Sequence, residues 1–291
     1  MTISQITGST RGIVLTRAGY TNPVTVTATG TVSGGAGDGL YAATRWTIQN
    51  YGAVSSVAGA GVDLTLGGAI TNALGGMIAG HDGIDIRGNS GRIENGGTVI
   101  GSRSGVYLAA GGTITNGDLT NSTALIKGSR ANGVAATAAI IVEHGVGWIA
   151  NAGTIANAAV YVAAVYVAGS FYTYTNTSIL LEDGGTVTNT GTASEIANGV
   201  SIASAAGKVV NSGDIGSPID KYYTPAYGFS KHSEPSIKMT AGGRVYNGEG
   251  NNISARVGHG VDISGGVGAV INNGHIGAPR TKIKSHCCPV N

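Results

Sequence analysis

The sequence predicts an all-β fold, a right-handed parallel β-solenoid of about nine to ten coils. Three observations predict it: a recurring phrase, a fixed period and a two-residue alternation. The phrase is Ile or Val, one variable residue, then Asn, with Gly usually close behind. It ends at Asn50, Asn72, Asn95, Asn116, Asn151, Asn189, Asn211, Asn247 and Asn272. The period comes from a second phrase, Gly followed by alternating apolar residues. Its copies begin at Gly39, Gly61, Gly83 and Gly105, each 22 residues after the last. Within one unit the apolar positions Val62, Leu64, Leu66 and Ile70 skip alternate residues. Strands of three to five residues separated by Gly pairs cannot bury an apolar face alone, so each unit must stack on the next.

Each part of the unit then has a task. In a parallel stack, equivalent residues of successive coils lie about 4.8 Å apart, so an Asn at one position in each coil forms a ladder of side-chain amides. The preceding Ile or Val points inward. Asn also tolerates a left-handed corner, and the neighbouring Gly relieves the next one.

The period loosens after Gly105. Successive ladder positions are 35 residues apart from Asn116 to Asn151, 38 to Asn189, 22 to Asn211 and 36 to Asn247. The surplus predicts excursions at 170–182 and 217–238. They hold Phe171, Tyr172, Tyr174, Tyr222, Tyr223, Tyr227 and Phe229, in a chain that is only 5% aromatic. Aromatic side chains gathered on loops suit a protein or glycan contact, or a lid folded back on the solenoid. The organisation expected is therefore irregular first coils or a cap over 1–38, solenoid repeats over 39–277 and a basic tail over 278–291. An uncovered terminal coil would be a pairing edge, so head-to-tail stacking into filaments is expected.

Composition excludes several classes. A net charge of +2 offers no field for nucleic acid. The two cysteines, Cys287 and Cys288, are adjacent in the basic tail and can build neither a disulfide framework nor a zinc site. The apolar run at 158–169 is too short to span a membrane and reads as strand. The first residues lack the pattern of a secretory signal, which implies another export route or an incomplete or mature piece. The stretch Gly34 to Leu40 is similar to a calcium-binding nonapeptide, but Asp38 is displaced by one residue and the phrase has no tandem copy; no calcium site is expected. No cofactor and no metal are predicted. His81 and His259 read as corner residues.

The combination I-x-N-x-G-x-I, GV-x-L and GG-x-I-x-N resembles the repeats of bacterial autotransporter-type passenger domains and related surface β-helix adhesins, over roughly Gly12 to Gly277. The resemblance implies a non-catalytic structural or adhesive rod, extracellular or on the bacterial surface, whose partners are copies of itself and glycan or cell-surface ligands. Some parallel β-helices cleave polysaccharides, so an enzyme is the alternative. Asp63 and Asp85, 22 residues apart, fall on adjacent coils at a spacing close to that of the two carboxylates of a retaining glycosidase. Tyr107 follows in register. With no further acids or basic residues evident around the pair, the two acids read as solvated ladder positions and no catalytic residue is assigned.

Overall fold

The computed structural model describes residues 3–17, 19–129, 138–157, 165–167, 170–172, 177–216, 235–248 and 252–277. These residues form a parallel β-solenoid with three faces and contain no helix. One face carries the Asn phrase. Its eleven strands stack in chain order from Ile3–Ile6 and Tyr20–Val26, through Trp46–Asn50, to Gly243–Asn247 and Gly268–Asn272. Each coil then crosses a middle face, from Ser9–Arg11 in the first coil to His275–Ile276 in the last. A third face follows, from Ile13–Val14 to Val261–Ile263. In two coils a single strand, Met77–Ile86 or Thr98–Leu108, bends around the corner from middle to third face.

The stack therefore holds eleven coils on its ladder face, more than the nine phrases show. The first two strands join the same stack, with a register shift between Ile3 and Gln5, but place Ile6 and Val26 at the ladder position. Without Asn they were invisible to the phrase.

Alternation within each strand sends every second side chain into the core. On the ladder face Ile48, Ile70, Ile93, Ile114, Ile149, Val187, Val209 and Val245 form a column, none more than 2% exposed. Val54, Ile78, Val99, Ile126, Ile155, Ile196 and Ile215 do the same on the middle face. Each such side chain contributes roughly 1.5–3 kcal/mol of burial, so three aliphatic columns replace the large aromatics that the chain lacks.

The corner before the ladder strand explains the Gly pairs. Gly67 has φ 79° and Gly68 has φ 157°. A Cβ on Gly68 would lie 2.3 Å from the Trp46 carbonyl oxygen of the coil below. The ladder asparagines, by contrast, do not occupy left-handed corners, as the sequence had suggested. They end extended strands, and among the described residues only His144 and Ser204 combine a side chain with a positive φ.

Three long connections, 129–139, 158–178 and 216–236, all join a middle-face strand to the next third-face strand, so the strands that flank them meet at one edge of the solenoid. Ile179–Leu181 and Ile237–Met239, of which all but Met239 were counted with the excursions in the sequence, are regular third-face strands in register with their neighbours. Ser170–Tyr172 pairs antiparallel with Val165–Val167. The side chains of Phe171 and Tyr172 lie outside the described residues, as do Tyr174, Tyr222, Tyr223, Tyr227, Phe229, Cys287 and Cys288.

Candidate functional site

Two polar columns run along the stack. The first is the ladder. Eight bonds link nine asparagines, each Nδ2 donating to the Oδ1 of the next coil: Asn50 to Asn72 at 2.7 Å, Asn116 to Asn151 at 2.8 Å, Asn189 to Asn211 at 2.9 Å, and so on to Asn247 and Asn272 at 2.7 Å. The backbone decides which amide atom faces which way. Asn50 Oδ1 accepts from the Gly52 N–H, while its Nδ2 faces the carbonyls of Gly52 and Met77. Asn95 and Asn211 repeat the pattern. From Asn50 to Asn247 the asparagines are at most 3% exposed. Their chemistry is spent inside the molecule.

The second column lies on the third face, where one outward residue sits between two buried aliphatics: Leu40-Tyr41-Ala42, Val62-Asp63-Leu64, Ile84-Asp85-Ile86 and Val106-Tyr107-Leu108. Register stacks Tyr41, Asp63, Asp85 and Tyr107 on four consecutive coils. The order is therefore tyrosine, two carboxylates, tyrosine.

Around these four the fold gathers charges that the sequence reading missed. Arg87 grips both oxygens of Asp85, its Nε 3.0 Å from Oδ1. One coil corner away, Asp82 accepts from Arg103 Nε at 2.9 Å and Nη2 at 2.5 Å, and from the Ser104 hydroxyl. The Arg103 guanidinium also sits 5.3 Å from the Tyr107 ring centroid, where a cation is attracted by the ring face. Tyr107 in turn donates its hydroxyl proton to Glu143. Asp38 is anchored nearby through the Ala60 N–H at 2.8 Å.

Asp63 alone is left over. Its Oδ1 is closed to solvent and has no hydrogen-bond partner. Burial, then the negative charges of Asp85 and Asp38, push its carboxyl up to about 6. Burial also raises Asp85, against the opposing pull of Arg87. Tyr107 is pushed up to about 12, first by burial and then by its bond to Glu143. The expectation of solvated acids is overturned for Asp85, which is 2% exposed beneath its pair with Arg87, while Asp63 is half-buried. The missed partners had weak signals. Arg87 follows Asp85 by two residues, and Arg103 faces Asp82 only because the register shifts between Gly80 and Asp82. That shift is unreadable from a 22-residue period.

His81 sits at a corner, as the sequence predicts, but within the continuous strand Met77–Ile86 where it bends from middle to third face, with its Nδ1 3.3 Å from the Ser102 hydroxyl. Among the described residues no three His, Cys, Asp or Glu side chains converge to hold a metal, and no helix is long and apolar enough to cross a membrane. A shallow hollow of about 410 Å³ lies elsewhere, beside Arg45, Arg92, Thr113 and the exposed Trp148, and includes none of the column's acids.

No family model, characterised protein or solved structure matches the chain.

Proposed function

We propose that the chain is a non-catalytic β-solenoid rod, structural or adhesive, working outside a bacterial cell or on its surface as its likeness to autotransporter-type passengers implies. The observation that carries this reading is the unbroken ladder. Eight buried asparagines, Asn50 to Asn247, each donate to the next rung, which stiffens a stack of eleven strands about 50 Å long at the usual strand spacing. The acids of the third face fit the same reading, since Asp82 and Asp85 are held by arginines and stand apart from the hollow. The aromatic residues of the excursions are its candidate contacts for a glycan or cell-surface ligand.

One observation favours the polysaccharide-active alternative: Asp63 pairs an unsatisfied oxygen and a raised pKa with a second carboxylate on the next coil. A single assay separates the two readings. Neutral and acidic polysaccharides are incubated with the full chain at pH 5 to 8, and new reducing or unsaturated ends are counted. The rod reading expects none. Cleavage that disappears in both Asp63→Asn and Asp85→Asn would replace it with the enzyme.

A further inference from the structure

The outward side of the ladder face has its own pattern. The second position of each strand stacks Arg92, Thr113, Trp148, Thr186, Lys208 and Arg244 on six consecutive coils. Threonine suits an exposed strand position, but a large indole there has no packing reason. The other tryptophan, Trp46, is 7% exposed and donates its indole N–H to the Thr44 hydroxyl at 3.0 Å. Trp148 is 60% exposed, and its N–H donates to no atom of the described residues. Thr113 and Thr186 on the adjacent coils are too short to cover the ring, which stays open to solvent.

Beside this ring lies the shallow hollow of about 410 Å³. Gly91, Gly111 and Gly112 give it a bare backbone floor, since a Cβ on Gly112 would lie 2.3 Å from the Gly91 carbonyl oxygen. Its charged side chains are Arg45 and Arg92, and its hydroxyls are those of Ser90 and Thr113. Arg92 is paired with Glu94 at the surface, whereas Arg45 makes no ion pair and no side-chain hydrogen bond among the described residues. Arg92 stands two coils from Trp148 and Arg45 four, roughly 10 and 19 Å along the axis. The positive charge is local to this face: the strands from Trp46–Asn50 to Gly243–Asn247 carry Arg92, Lys208 and Arg244 against a single acid, Glu94, while Asp63 and Asp85 lie on the third face.

We propose that this hollow binds an acidic polysaccharide, with Trp148 as the stacking platform and Arg45 and Arg92 as carboxylate-binding groups. The lining fixes the chemistry of the occupant. Guanidinium forks match carboxylates, and Arg92 keeps N–H groups beyond those used by Glu94. The electron-rich indole face suits the C–H side of a sugar ring, and the Ser90 and Thr113 hydroxyls suit its hydroxyl groups. A shallow trough along the axis admits a chain that continues past the site, towards Lys208 and Arg244 on the same column. Nucleic acid fits less well: successive bases need successive aromatic platforms, the hollow has one, and Glu94 would face the phosphates. The site is separate from the aromatic excursions and the acid column, so its failure would leave the rod reading standing.

The test uses the full chain and defined probes: tetramers of galacturonic acid and of hyaluronan, their methyl esters, which keep the rings and lose the charge, and single-stranded oligothymidylate. Calorimetry reports affinity, and tryptophan emission reports contact with Trp148, because Trp46 is buried. The expected result is that an acidic tetramer binds and shifts the emission, and that its methyl ester binds about tenfold more weakly. Trp148→Thr should also weaken binding about tenfold; it places in the column the residue already present on both adjacent coils, and a melting temperature matching the parent checks the fold. Arg45→Ala should weaken binding about fivefold, and added salt should weaken it further. Binding of neither acidic tetramer, equal binding of the esters, unchanged affinity in Trp148→Thr, or tighter binding of oligothymidylate than of both tetramers would overturn the proposal.

Discussion

The ladder face and the third face both repeat a polar residue on consecutive coils, yet one column is quiet and the other is strained. An amide carries donor and acceptor together, so a stack of asparagines closes on itself and can be buried without help. A carboxylate only accepts. Two in register repel, and each needs a cation brought from elsewhere: Arg87 serves Asp85, Arg103 serves Asp82, and nothing bonds to the Oδ1 of Asp63. A solenoid can repeat any residue, but only self-complementary ones stack at no electrostatic cost.

The largest effect should come from breaking the ladder at its centre. Asn151→Val removes the acceptor of Asn116 and the donor to Asn189, leaving two buried groups unpaired, and should lower unfolding free energy by about 2–4 kcal/mol in denaturant titrations. At the ladder's beginning the same change should cost about half as much, because Asn50 has no asparagine before it; Val26 already sits there. The double variant Asn116→Val with Asn151→Val should cost less than the sum of its parts, since the bond between them is lost only once.

On the third face the sign reverses. A carboxyl raised from 3.8 to about 6 on folding favours the folded state when protonated, so its contribution is full below pH 4 and lost as pH rises to about 6. Asp63→Asn should therefore stabilise the chain above pH 7, by about 1 kcal/mol once partial exposure is allowed for, and the difference should close below pH 4. Melting temperatures at pH 4 and pH 8 check this; a variant less stable than the parent at pH 8 would contradict the strain. The smallest effect is expected from Tyr107→Phe, about 0.5 kcal/mol, with loss of a phenolate absorbance step near pH 12.

Much of the fold was legible because a solenoid writes its three-dimensional neighbours at a fixed distance in the chain. The nine asparagines, the inward Ile and Val and the paired glycines all follow from the period and steric rules. The two coils that use Ile6 and Val26 were legible only as irregular first coils or a cap, because a pattern search sees only residues that conform. The surroundings of Asp63 were lost for a different reason. Arg103 meets Asp82 through a one-residue slip of register, and the closeness of Asp38 depends on where a turn ends. The period predicts which coils touch; it does not carry offsets smaller than itself.

Identical coil interfaces also have a genetic consequence. Recombination between two repeats that adds or deletes one whole coil creates no junction of a new kind, because Asn still meets Asn and each aliphatic column stays in line. The strands that flank the long connections keep their register with the neighbouring coils, so coils with and without such connections can be exchanged as well. Lineages carrying this gene should therefore differ in rod length by whole coils, and tolerate that variation far better than the gain or loss of one or two residues within a strand.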